Sequence, residues 1–223
     1  IYNYPDGAFQ LAQQTTIKMA DLVIESIETT EHYLHSGDKE DYDVIMQLEE
    51  LVDNLDTDLT TYLLKIATHA SDTGVIAETY TKHLQIIKNF ERMSDLCVNI
   101  AEFYYLMFDA RETFSKPAME DITQLYQMVY DLLHRSIDIY VTEDSSSYEI
   151  LQQNEKDVNE TEIAMRERHF QRMAEGQGGT KVANSIYVDV LGMLERIADR
   201  GVSTGRYTFS VIKEHEPDIQ AQN

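Results

Sequence analysis

The chain is poor in cysteine, basic residues, proline and long apolar runs, and it has no tryptophan. With Cys97 alone, no internal disulfide can form and no thiolate cluster can hold a metal, a composition that fits a reducing compartment. Lys and Arg number 18 against 40 Asp and Glu, for a formal net charge of −22. Nucleic acid and anionic lipid both need a basic surface, so neither is expected as the main partner. The longest stretch free of Asp, Glu, Lys and Arg runs from Gly7 to Ile17, far short of the roughly 18 apolar residues of a membrane span. The opening Ile1-Tyr2-Asn3-Tyr4-Pro5-Asp6 has neither a basic nor an apolar region of a signal peptide. It also lacks an initiator methionine, so a piece of a longer protein is expected. Period-two alternation never persists beyond a few residues, and no sheet is predicted.

What remains reads as helix. Hydrophobic residues make up 43% of the chain, enough for one sizeable core or two small ones. Pro5, Pro117 and Pro217, with Gly37, Gly74, the run Gly176-Gln177-Gly178-Gly179 and the polar Glu143-Asp144-Ser145-Ser146-Ser147, punctuate long segments rich in Leu, Ile, Met, Glu, Gln and Ala. Six helices are predicted, at about 8–35, 39–70, 76–110, 117–142, 146–175 and 181–213. A helix of about 30 residues is about 45 Å long, so these are rods. Val44, Leu48, Leu51, Leu55, Leu59, Tyr62 and Ile66 recur at steps of three and four and predict the apolar stripe of the second helix. Phe90, Met93, Cys97, Ile100 and Tyr104 do so in the third, and Val190, Leu194, Ile197, Gly201 and Gly205 in the sixth.

The third and sixth segments share more than periodicity. Asn89-Phe90-Glu91-Arg92-Met93-Ser94-Asp95 matches Met193-Leu194-Glu195-Arg196-Ile197-Ala198-Asp199 about half a chain later. Glu49-Glu50-Leu51-Val52-Asp53 aligns with Glu155-Lys156-Asp157-Val158-Asn159 in the second and fifth. The expected fold is therefore all-α, with two tandem three-helix repeats at 1–112 and 113–223.

Glu91/Asp95 and Glu195/Asp199 place both carboxylates of a pair on one helix face. Glu49, Asp53 and Asp56 form a comparable stripe, and the face continues through Asn99 and Glu102 in the first copy, Ser203 and Arg206 in the second. Facing stripes would gather oxygen ligands without sulfur, a set suited to Mg²⁺, Mn²⁺, Ca²⁺ or iron. With 40 acids in 223 positions, about seven such pairs arise by chance, so one pair alone means nothing. The recurrence of the same apolar-Glu-Arg-apolar-small-Asp context in both halves sets these two apart. Metal ligation and a structural salt-bridge network with Arg92 and Arg196 both account for it.

Other signals are blander. The histidines, at positions 32, 35, 69, 83, 134, 169 and 215, are scattered, and the Glu-x-x-His pairs of ferritin-type di-iron sites are absent; Asp131-x-x-His134 is the nearest. Cys97 reads as a buried small hydrophobe. The 14 tyrosines lack the basic neighbours of a base-stacking platform. Gly201 and Gly205, one turn apart, read as a close helix contact, and the glycine run at 176–179 as a flexible connector.

Phe90-Glu91-Arg92-Met93-Ser94-Asp95-Leu96-Cys97-Val98-Asn99-Ile100-Ala101-Glu102 and Leu194-Glu195-Arg196-Ile197-Ala198-Asp199-Arg200-Gly201 resemble the two Glu-Arg-Ile-Gly-Asp helices of the PhoU family of phosphate-uptake regulators. The wider pattern resembles the PhoU-like cytoplasmic C-terminal domain of bacterial Na⁺/phosphate cotransporters, through Pro5, Ala8, Phe9 and Ala12, through Glu155, Asn159, Arg166, His169 and Arg172, and through Gly179, Tyr187, Leu191, Leu194, Glu195 and Arg196. The resemblance implies two pseudo-symmetric three-helix bundles and metal-holding carboxylates, here Glu49, Asp53, Glu91, Asp95, Glu155, Glu195 and Asp199. Asn159 replaces the carboxylate of Asp53, Gly201–Gly205 differs from the first copy, and Ser94 and Ala198 stand where the family usually has Gly. The expected protein is a non-enzymatic regulatory domain of phosphate transport, with a divalent metal or iron and no organic cofactor. It would be cytoplasmic and tethered to the inner membrane face. Its partner would be the transporter portion of its own chain or another phosphate transport or signalling protein, and it would be able to form homodimers. The alternatives are a carboxylate-ligated metalloenzyme and a purely structural dimerisation bundle.

Overall fold

The computed structural model describes residues 5–69 and 73–209. Six long helices occupy nearly all of them: α1 Pro5–Ser36, α2 Lys39–His69, α3 Thr73–Asp109, α4 Lys116–Thr142, α5 Tyr148–Ala174 and α6 Lys181–Phe209, with one 3₁₀ turn at Ser145–Ser147. No strand is present among the described residues, and no helix there is long and apolar enough to cross a membrane. The expected bounds agree with these to within a few residues. Residue 70 of the second expected helix, residues 210–213 of the sixth, His215 and Pro217 lie outside the described residues.

Each set of three helices closes on itself, α1 with α2 and α3, and α4 with α5 and α6. The two sets meet along α3 and α6, with a smaller contact between α1 and α4. The third and sixth stripes bury as expected: Phe90, Met93, Cys97, Ile100 and Tyr104 on α3, and Val190, Leu194, Ile197, Gly201 and Gly205 on α6. The stripe of α2 is a correction. Its buried row is Ile45, Leu48, Val52, Asp56, Leu59, Leu63 and Ile66, whereas Val44 is half-buried and Leu51 stands in solvent. The two rows share Leu48, Leu59 and Ile66 and differ by a small rotation about the helix axis. Contact with α1 and α3 selects the row that brings Asp56 inward.

Buried polar links cross the seam between the sets. Tyr126 Oη donates to Thr30 Oγ1 (3.0 Å) and lies 3.0 Å from Tyr104 Oη, joining α1, α3 and α4. Asn89 Nδ2 donates to Thr204 Oγ1 (3.3 Å), tying α3 to α6. Glu112, in the turn before α4, accepts from the backbone N–H groups of Val182 (2.7 Å) and Ala183 (3.0 Å). It thereby satisfies amides that the first turn of α6 leaves without intrahelical partners. A hydrogen bond from Thr180, with those from the Ala183 and Val182 amides, holds the Glu112 carboxyl below the usual range.

Gly201 and Gly205 mark close approaches, as expected. A Cβ at Gly201 would sit 2.7 Å from the Cδ2 atoms of both Leu132 and Leu133, and one at Gly205 would sit 2.5 Å from Leu151 Cδ2. Ser136 Oγ uses this proximity to donate to the Gly201 carbonyl (2.6 Å). The glycine run after α5 is more than a connector. Gly176 takes φ +72°, and the Gln177 N–H returns to the Arg172 carbonyl (2.8 Å), stopping the helix in a left-handed cap.

Candidate functional site: two carboxylate faces

The duplicated motif lands on matched surfaces. In the first copy, α2 supplies Glu49, Asp53 and Asp56, and α3 supplies Lys88, Glu91 and Asp95. Glu49 and Glu91 are half-buried, while Asp53 and Asp95 are the more exposed, Asp95 still partly desolvated by the packed helices. Burial is the main cause of a raised Glu49 carboxyl, with Asp53 and Asp95 adding repulsion. Burial likewise raises Glu91, reinforced by Asp95, Asp56 and Asp53 and opposed by Lys88. Asp95 is raised by burial and by Asp53, and its hydrogen bond with Glu91 acts the other way. The four predicted acids of this half therefore share one neighbourhood. Asp56 Oδ2 accepts from Lys88 Nζ (2.5 Å), whereas its Oδ1 is buried without a hydrogen-bond partner.

In the second copy, α5 supplies Glu155, Asn159 and Glu162, and α6 supplies Glu195 and Asp199. Burial raises Glu155 first, then repulsion and hydrogen bonding from Asp199. Glu195 is raised by burial, Asp199 and Glu162, and Asp199 by burial. Glu162 is buried and paired with Arg166 one turn along α5. The Asn159 Oδ1 is buried without a hydrogen-bond partner. The three predicted acids of this half are thus neighbours as well.

Both faces offer hard oxygen donors, with the carboxyls of Glu49, Glu91 and Asp95 on one and of Glu155, Glu195 and Asp199 on the other held above their usual range, and each contains one buried oxygen with no partner. That donor chemistry fits a hard cation, which would favour the ionised carboxylates and occupy an idle oxygen. As the side chains stand, no three His, Cys, Asp or Glu among the described residues converge closely enough to enclose an ion. Seating one would require carboxylate rotations on the more exposed members, Asp53 and Asp95.

Of the groups that support these faces, Lys88 and Asp121 carry no signal in the sequence. Lys88 pairs with Asp56 in one copy and Arg166 with Glu162 in the other, and only side-chain proximity reveals these roles. Asp121 is a buried hub. It accepts from Arg168 Nη2 (2.7 Å), Arg172 (3.2 Å) and Tyr187 Oη (3.0 Å), and so fastens α4 to α5 and α6. His169 stacks on Tyr187 at 4.2 Å between centroids. The motif residues Arg172 and His169 thus brace the helix that carries Glu155. Cys97 is fully buried, as expected, with its thiol pushed up to about 12 by burial. Asp131 and His134 are both exposed.

A duplicated three-helix module with one carboxylate face per copy is the class that fold and site define. The chain belongs to the PhoU domain family, whose model matches residues 16–104 and 122–208. Among solved structures, it is similar to the phosphate transport system regulatory protein PhoU from Streptococcus pneumoniae, at 16% identity and a TM-score of 0.80 over 92% of this chain and 95% of that one. PhoU from Pseudomonas aeruginosa gives 13% identity and a TM-score of 0.82 over 92% and 97%. At these identities the likeness shows the fold. Comparison with curated proteins gives no match.

Proposed function

We propose that this chain regulates phosphate transport without catalysing a reaction, as the cytoplasmic domain of a Na⁺/phosphate cotransporter held at the inner membrane face. Membership of the PhoU family supports the transport assignment, as does likeness in fold to a phosphate transport system regulatory protein of S. pneumoniae. The observation that carries the regulatory reading is the pair of carboxylate faces. Each crowds acids whose ionised forms are disfavoured, and each lies beside the helix seam joining the copies.

In this reading Glu49, Asp53, Glu91 and Asp95 hold one divalent cation or iron, and Glu155, Glu195 and Asp199 hold another. A bound cation supplies the positive charge that these faces lack and favours one packing of the helices over another. The carboxylates orient the ion, Lys88 and Arg166 neutralise the inner acids Asp56 and Glu162, and the transporter reads the resulting packing. A second copy of the domain is a further candidate partner.

The test combines location with transport. Cells carrying the native full-length gene are fractionated, and phosphate uptake is measured with the wild type and with Glu91→Gln/Glu195→Gln. Membrane-associated protein and altered uptake at unchanged protein abundance are expected. A protein found wholly in the soluble fraction refutes the tether, and unchanged uptake in the double variant refutes regulation through these faces.

A further inference from the structure

The two copies have diverged in charge. Aligned through the Glu-Arg motif, Leu96 and Glu102 of α3 correspond to Arg200 and Arg206 of α6, while Asp53 of α2 corresponds to Asn159 of α5. The first face thus presents Glu49, Asp53, Glu91, Asp95 and Glu102 with one arginine, Arg92. The second presents Glu155, Glu195 and Asp199 with three, Arg196, Arg200 and Arg206.

Those three arginines line a cleft of about 440 Å³ between α5 and α6, together with Tyr148, Gln152 and Ser203. None of them makes a salt bridge among the described residues, although the chain has more than twice as many acids as bases. Arg206 donates to Ser203 Oγ at 3.3 Å and lies over the Tyr207 ring. Glu155 and Asp199 border the same cleft and leave it mixed in charge, and both have carboxyls held up by burial. Arg206 and Arg200 draw on Glu155 and Asp199 only at a distance. Three arginines without a direct ion pair, gathered with hydroxyl and amide donors in one polar recess, are the donor set for oxyanions, which guanidinium groups bind through paired N–H bonds.

We infer that the second copy binds a small ligand bearing tetrahedral oxyanion groups in the cleft lined by Arg196, Arg200 and Arg206. Arg196 and Arg200 lie one turn apart, about 6 Å along the helix, so a ligand with two linked anionic groups engages both at once, which one with a single group does less well. Glu155 and Asp199, at the acidic border, accept hydroxyl or N–H donors from the rest of the ligand. The inference does not depend on a cation at either face, and in the metal-free protein Glu155 and Asp199 have no ion to hold.

Titration calorimetry on the metal-free protein in low-chloride buffer tests it, with inorganic phosphate, sulfate and pyrophosphate as probes. Saturable binding of phosphate and sulfate at millimolar Kd or better is expected, with pyrophosphate about tenfold tighter. Arg200→Leu/Arg206→Glu, which writes in the residues of the first copy, should weaken pyrophosphate at least tenfold, and Arg111→Gln on an exposed turn should leave it unchanged. If the double variant does not fold, Arg206→Gln at an exposed position gives the same reading. Absence of saturable binding by all three anions overturns the inference, as does equal pyrophosphate binding in wild type and either arginine variant. The cation reading fails separately, on metal content, whatever the anion result.

Discussion

Glu195→Gln is expected to make the metal-free protein more stable, the reverse of the usual effect of replacing a half-buried acid in a hydrogen-bonded cluster. Glu195 is raised by burial and by two like charges, Asp199 and Glu162. Asp199, one turn along α6, costs a few tenths of a kcal/mol, and repulsion from Glu162 on α5 and relief of desolvation add to this, so neutralising the side chain should contribute about 0.5–1.5 kcal/mol. In a domain of this size that is about 1–5 °C in Tm. Bound cations act in the other direction: at 100 times Kd an ion adds about 2.7 kcal/mol to the wild type, or about 5–10 °C. The assay is thermal unfolding with chelator and then with Mn²⁺, alongside Glu167→Gln, an exposed acid on α5 that controls for general screening of the negative charge. Melting of Glu195→Gln below the wild type in chelator refutes the expectation, as does an equal rise of both proteins with Mn²⁺. Gains in stability on removing a functional carboxylate are what a strained binding face produces.

Further outcomes follow from the packing. Asp121→Asn removes the charge facing two guanidinium groups at a buried hub, and should cost about 2–4 kcal/mol in urea unfolding. Gly201→Ala drives a methyl group against Leu132 and Leu133 and should destabilise by about 1–2 kcal/mol, the helix-propensity gain being outweighed. Gly192→Ala, in the same helix with open space around it, should stabilise by about 0.5–1 kcal/mol, and the opposite order of the two variants would refute the α4–α6 contact. His83 is stacked on Phe9, 3.2 Å from Tyr140 Oη, and burial lowers it to about 4, so its NMR titration should have its midpoint there. Its stabilising contribution is full above its ordinary 6.5 and is lost as pH falls toward 4. The raised carboxyls of Glu49, Glu91, Asp95, Glu155, Glu195 and Asp199 act oppositely, stabilising in acid and losing that contribution as pH rises through their raised values. Glu195→Gln should therefore lessen the loss of stability as pH rises through the carboxyl range; a Tm profile against pH identical to that of the wild type contradicts this.

Local patterns settle the helices and much of the core, because spacing and punctuation are written into consecutive residues. Phe90 to Tyr104 and Val190 to Gly205 bury as their periodicity demands. On α2 the same logic slips by a small rotation, since Val44/Leu51 and Ile45/Val52 are equally good apolar rows and only α1 and α3 choose between them. An aspartate at a core position, Asp56, argues against the true row until Lys88 is seen beside it. The paired acids of each face are legible through duplication. Asp121 with its arginines and Glu112 on the amides of α6 are not, because their partners lie tens of residues away and no short motif encodes such distances.

The helices bearing the Glu-Arg motifs are also the ones that join the copies. A hydrogen bond from Asn89 to Thr204 spans that joint, two residues before Glu91 on α3 and five residues after Asp199 on α6. Any occupant that rotates α3 must carry its neighbour with it or break this link. A ligand that shifted α3 on binding one copy would alter the affinity of the other by a factor that is identical in the reverse direction, and two half-domains of unlike charge would then report a single joint occupancy to whatever they touch.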